Sequence, residues 1–327
     1  MPESSQDLVA GFVAGMTWGW VGTRGSWSTP EAEHSMKAMA ALNTNWTTIA
    51  FQAVQSSAHS TDIVFSSEHT VSDEEVRWAI RKAKALGLKV CLKPVINSLD
   101  GTWRAFIGFF DQAVPNEPSW SEWFVNYTRF LLHYARIAEE EGCELFCVGC
   151  EMVQSDHREA EWRETIRQVR AVFNGPLTYN CDKYQEDRLT WWDAVDVISS
   201  SGYYPQGTWK EHLDRIEPVV MRHGKPFLFL EAGCPSRDGS QDLPNDWSLV
   251  GAPSPEAQLV YYRDMFKHTR ERSWVGGFML WDWPARLYRQ EDAALDTDYC
   301  IYAKPASAEV ATAYAAATTP SAESLPL

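Results

Sequence analysis

Long apolar runs are missing from this chain. The longest, Pro226 to Leu230 and Val275 to Trp281, fall far short of the roughly 20 residues that cross a bilayer, so no membrane partner is expected. The N-terminal stretch MPESSQDLVAGF has no basic segment leading into a long apolar one, the mark of a secretory leader; a cytoplasmic location is the expectation. Positive charge is also in deficit. With 29 Lys and Arg against 44 Asp and Glu, the net charge is −15, which argues against nucleic acid and suits a neutral substrate. The seven cysteines are odd in number and dispersed, so no disulfide framework is expected in a chain of this size.

Several chemistries are absent too. There is no nucleophile-elbow serine, no glycine-rich phosphate cradle and no helix with paired zinc-binding histidines. Cys143, Cys147 and Cys150 lack the His or Cys pair that would complete a zinc set, and read as small packing thiols. Asp292, Asp296 and Asp298 lack the turn glycine and final glutamate of a calcium loop. No metal is therefore expected.

What the chain does have is tryptophan, 16 in 327 residues. Indole faces fill large cores, and they also stack on the C–H faces of sugars. It has, further, two glutamates closing apolar runs: Glu151 ends ELFCVGCE and Glu231 ends PFLFLE. Such runs suit strands buried on both faces of a parallel sheet. A carboxylate leaving one is expensive to desolvate unless it is used. Two strand-end carboxyls, one an acid/base and the other a nucleophile, are what glycoside hydrolysis requires.

Strand-like and helix-like segments alternate along the whole chain. Strands are expected at Gly11–Thr17, Trp46–Gln52, Lys89–Pro94, Glu144–Cys150, Leu177–Asn180, Val195–Ser200, the run ending at Glu231, and VGGFMLWDW from Val275. Helices are expected at Thr29–Leu42, Ser72–Leu86, Ser121–Glu141, Glu159–Phe173, Arg188–Asp193, Lys210–Arg222, Pro255–Arg272 and Ala306–Ala316. Ser72 with Glu75 forms a capping box, Gly87 a stop, and Thr29–Pro30 a helix start. Eight such units predict an α/β fold, a single-domain (β/α)8 TIM barrel over residues 11–317. An N-terminal extension (1–10) precedes it and a disordered tail (318–327) follows; a doubly wound open sheet is the competing architecture. In a barrel the C-terminal strand ends form the site, and both glutamates fall there. Glu231 is the better nucleophile, because Tyr203 beyond strand six can donate its hydroxyl to it; Glu151 is then the acid/base.

The stretches KPVINSLDGTWR, NYTRFLLHYARIAEEEGCELFCVGCEM, GPLTYN, GYYP, GKPFLFLEAG and GGFMLWDWP resemble glycoside hydrolase family 113, a clan A barrel family best known for endo-β-1,4-mannanases. The resemblance runs from Gly11 to Trp283. It implies Glu151 as acid/base, Glu231 as nucleophile, a retaining outcome, no cofactor, and a β-linked oligosaccharide or polysaccharide as partner. Three departures bear on substrate preference. Cys150 stands where clan A enzymes usually carry asparagine; Val95 and Asn97 stand where the family pattern has a histidine and an acidic residue; and Asn180-Cys181-Asp182 follows strand five.

Candidate sugar contacts are Trp281 as an aromatic floor and Trp18 as a second platform, either of which packs the core in the alternative reading. Lys93, Asn97, Asn180 and Asp282 are candidates for hydroxyl contacts, with salt bridging or loop capping as alternatives. Trp103 either covers the cleft or anchors its loop. Exo action, another β-glycan, or a catalytically silent sugar-binding barrel remain as rival functions.

Overall fold

The computed structural model describes residues 11–319. Eight parallel strands close into a barrel in sequence order. They are β1 (Val13–Trp18), β2 (Trp46–Gln55), β3 (Lys89–Ser98), β4 (Leu145–Cys150), β5 (Leu177–Cys181), β6 (Val197–Ser201), β7 (Phe227–Glu231) and β8 (Val275–Trp283). Seven α-helices lie among the described residues: α1 (Pro30–Ala40), α2 (Asp73–Ala85), α3 (Trp120–Glu140), α4 (Glu159–Arg170), α5 (Trp209–His223), α6 (Pro255–Thr269) and α7 (Pro305–Thr318). The open-sheet alternative is excluded by closure of β1 on β8. The expected extension 1–10 lies outside the described residues. So does the expected tail, apart from Thr318, which closes α7, and Thr319.

Local signals explain most boundaries. Thr29 accepts the Ala32 N–H ahead of Pro30, and the Ser72–Glu75 capping box forms in both directions. Gly224 ends α5 in the left-handed conformation, φ 59°, where an L side chain is strained. Two expectations fail instructively. β3 does not stop at Pro94 but continues to Ser98 along β2. Its ladder with β4 is confined to Cys91 and Leu92, so the missing proline N–H falls where no partner on that side awaits it. The helix expected at Arg188–Asp193 is a single 3-10 turn, Trp192–Ala194. Trp191 and Trp192, both fully buried, cover that flank of the barrel in place of a helix.

Strand alternation divides the core. Val13, Trp46, Cys91, Leu145, Cys147, Val197, Leu228, Leu230 and Met279 form a cluster of their own, filling the barrel interior. Phe146, Val148, Phe227, Phe229 and their outward neighbours join the larger layer under the helices. All seven cysteines are free and buried.

Candidate active site

Plain alternation turns Lys93, Asn180 and Ser201 inward, in register with Cys91, Thr178 and Ser199 on their own strands. It also turns Glu151 inward, on the parity of Leu145 and Cys147, but turns Glu231 the wrong way. Glu231 falls on the same parity as Phe227 and Phe229, which face the helices. The pairing register slips just before it, from Ser200↔Phe229 to Ser201↔Glu231. β4 slips likewise, from Cys147↔Thr178 to Cys150↔Asn180, and Glu151 then takes φ 54°. Such irregularities re-aim a side chain, and both carboxyls lie in one cleft of about 620 Å³ at the C-terminal mouth of the barrel. Trp20, Asn97, Trp103, Arg104, Tyr203, Trp247, Trp281 and Tyr299 are among its other walls.

The two carboxyls are held differently. Glu231 receives an ion pair from Lys93 at 2.5 Å, the Tyr203 hydroxyl at 2.8 Å and the Cys150 thiol at 3.4 Å. Burial alone would raise its pKa, but the Lys93 ammonium, the more distant Arg104 and the Tyr203 hydroxyl outweigh it and hold the carboxyl below its ordinary value. Glu151 accepts from Ser201 at 2.7 Å, from Arg104 at 2.9 Å and from the Trp103 indole at 3.3 Å. Its pKa is nevertheless raised, by burial first and by the charge of Glu231 second, against the pull of Arg104. Ser201 also accepts from Asn180 at 2.9 Å, and Asn180 accepts from Lys93 at 3.2 Å. An unbroken line of hydrogen bonds therefore joins one carboxyl to the other. Beside it, Asp182 is pushed up to about 8 by burial and then by Glu151.

A cleft that shifts one carboxyl toward its ionised form and its neighbour toward its protonated form is equipped for acid-assisted nucleophilic displacement. The comparisons agree on the class. The model of Glycoside Hydrolase Family 113 matches residues 16–304. The chain belongs to glycoside hydrolase family 113. A solved structure described as a GH113 beta-1,4-mannanase is 50% identical, covers 93% of this chain and 99% of its own, and superposes with TM-score 0.92. The GH113 beta-mannanase AaManA from Alicyclobacillus acidocaldarius, in complex with ManMIm, is 45% identical over 94% of this chain and 99% of its own, with TM-score 0.92. A β-glucuronidase from Ruminococcus gnavus, at 13% identity and TM-score 0.63, shares the barrel alone. None of the curated proteins compared gives a significant match. As a member of family 113 the protein is a glycoside hydrolase.

The sugar-contact candidates separate in this hydrolase. Trp281, Asn97 and Trp103 line the cleft, Asn97 bonding to Gln52 at 2.9 Å and to Arg104 at 3.0 Å. Trp18 does not. It is 0% exposed, its ring 5.0 Å from that of Trp27 and tilted 56° to it, and it is bonded through its indole N–H to Ser35. With Ala14 and Met16 it belongs to the layer under the helices; Trp20, two residues on, is the one at the rim, its ring 5.4 Å from Trp281. Lys93 and Asn180 are also 0% exposed and spend their polar atoms on protein partners beneath the cleft. Asp282 is absent from the lining; burial, then the charges of Asp298, Glu231 and Asp296, push its carboxyl well above the usual range.

Sequence reasoning missed Arg104, Ser201, Trp20, Trp247 and Tyr299. Ser201 was accessible in principle, since parity from Ser199 turns it inward. Arg104 follows Trp103 directly, yet nothing local distinguishes it from a surface arginine. Trp247 and Tyr299 reach the cleft from loops whose course no strand pattern fixes.

Proposed function

We propose that this family 113 hydrolase cleaves β-1,4-mannosidic bonds in mannan or manno-oligosaccharides by double displacement, with Glu231 as nucleophile and Glu151 as acid/base. The observation that carries the reading is the opposite treatment of two carboxyls in one cleft. Lys93 and Tyr203 favour the charged form of Glu231, while burial and that same charge raise the Glu151 pKa and favour its protonated form. The mannan substrate is suggested by the close relatives, whose names specify beta-1,4-mannanase and beta-mannanase.

In the first step Glu231 attacks the anomeric carbon as Glu151 gives its proton to the departing glycosidic oxygen. The C1–O bond to the leaving sugar breaks and an ester bond to Glu231 forms. Esterification removes the negative charge that had raised the Glu151 pKa. Arg104, at 2.9 Å, then acts unopposed by that charge and favours the carboxylate. Glu151 can now take a proton from water, whose oxygen attacks C1 and frees Glu231, restoring the starting states. Trp281 provides the apolar floor under the sugar being cut, Tyr203 orients the nucleophile, and Trp103 and Asn97 face the glycan.

The test is hydrolysis of β-1,4-linked manno-oligosaccharides followed by NMR of the newly formed reducing ends. Retention predicts the β-anomer first, with internal cleavage products. Initial α-anomer, or turnover confined to gluco- or xylo-oligosaccharides, overturns the mechanism or the substrate respectively. Release of single sugars from one chain end replaces the endo reading with an exo one.

A further inference from the structure

Five aromatic side chains are exposed among the described residues: Trp103, Phe106, Phe110, Tyr184 and Trp247. They are not scattered. Three sit in the loop between β3 and α3, one in the loop after β5 and one in the loop after β7, so all five lie on the face that carries the cleft. Apolar surface concentrated on one face of a soluble protein marks a binding surface. Within the β3 loop the rings continue outward from the cleft. Trp103 donates to Glu151 and meets Phe106 edge-on with centroids 5.8 Å apart.

Phe106 and Phe110 in turn line a second hollow of about 600 Å³, with Phe109 and Trp120. Its rim carries His59, Gln154 and His157, side chains with ring nitrogens and an amide. His157 pairs with Asp111 at 2.8 Å. Gln154 belongs to the short turn Val153–Ser155, directly after Met152 and Glu151. Aromatic walls with a hydrogen-bonding rim are the composition that a neutral, hydroxylated ring with apolar C–H faces would fit. The size is within the range of small-molecule sites.

We propose that this hollow is a distal glycan subsite, occupied by sugar units of the same chain whose bond lies at Glu151 and Glu231. The inference rests on the reading of the cleft as a β-glycan site and goes beyond it. The occupant is specified by continuity: the Trp103–Phe106 contact joins the hollow to the cleft, and the loop that lines one also lines the other. Its consequence is a chain-length dependence that the cleft alone does not produce.

The experiment is kcat/KM for wild type and Phe110→Ala across manno-oligosaccharides of increasing length and across soluble mannan. Phe110 is 62% exposed, so its truncation leaves the barrel packing in place, which thermal unfolding checks. The expected result is unchanged turnover of the shortest cleaved oligosaccharide and a loss of roughly fivefold to tenfold on long chains. A parallel measurement uses Glu231→Ala protein, in which calorimetry should show mannohexaose bound several-fold more weakly when Phe110→Ala is added. Equal losses on short and long substrates mean that the loop only positions Trp103 and Arg104, and overturn the subsite. No loss on any substrate overturns it as well. Failure of wild type to cut any manno-oligosaccharide instead strikes the reading of the cleft, a separate result.

Discussion

Around Glu231 the partners are carried on or just beyond strands: Lys93 on β3, Cys150 on β4, and Tyr203 two residues past β6. Around Glu151, two of three come from the β3–α3 loop, Trp103 and Arg104, and only Ser201 sits on a strand. Groups held in a ladder have little freedom, whereas loop groups can shift with the ligand. The difference matches what each carboxyl must do in the proposed double displacement. A nucleophile needs its charge held constant until it bonds, which fixed cationic and hydroxyl donors provide. An acid/base must be protonated in one step and ionised in the next, so its cation has to be counterbalanced by burial and by the other carboxylate.

The comparison breaks most visibly at Glu151, the proposed acid/base. Glu151→Gln should lower turnover of manno-oligosaccharides by roughly 10²–10⁴-fold, and that of aryl mannosides with activated leaving groups far less, because these depart without protonation. Steady-state rates on both substrate types check this, and equal losses would remove Glu151 from the acid role.

Lys93→Met should come next, with kcat/KM down by roughly 10²-fold. Without the ammonium the Glu231 pKa rises, so the acid limb of the pH–rate profile moves to higher pH. Removing one partner of a buried pair should also lower stability by about 3–5 kcal/mol, measurable by denaturant unfolding. An acid limb that stays where it was would show that Lys93 does not set the charge of Glu231. The smallest effect belongs to the loop side. Arg104→Met removes a cation that favours the Glu151 carboxylate, so the alkaline limb should move to higher pH while the rate at the optimum falls by no more than about tenfold. Movement of the acid limb instead would reverse the pairing of each cation with its carboxyl.

Much of this was legible before the coordinates. Alternating patterns gave all eight strands, since parallel strands buried on both faces read as apolar runs. Strand ends gave both glutamates, and the proximity of Tyr203 to Glu231 followed from adjacent strands six and seven. The misreading of Trp18 comes from the parity of side chains within a strand. Trp18 stands at a strand end, as the glutamates do, but continues the outward row of Ala14 and Met16 and is buried under the helices. Glu231 occupies an equally unfavourable position and reaches the cleft because β7 slips register just before it; Glu151 starts from the inward parity of Leu145 and Cys147, and the β4 slip before it is followed by its own φ of 54°. No residue type announces those slips. Lys93 and Asn180 read as hydroxyl contacts near strand ends, but their depth below the rim depends on how the barrel closes around them. The absent helix between β5 and β6 is a tertiary substitution of the same kind. Its flank is closed by Trp191 and Trp192 and by Glu186, a fully buried carboxylate bonded to Ser200 at 2.6 Å and Tyr204 at 2.7 Å.

The line running from Glu151 through Ser201, Asn180 and Lys93 to Glu231 makes the two ends answerable to each other. Substitutions made singly at either end will misstate their separate worth, because each also loosens what the other leans on. Ser201→Ala is the informative perturbation at its middle: a hydroxyl that never meets the sugar would be felt by both acids at once.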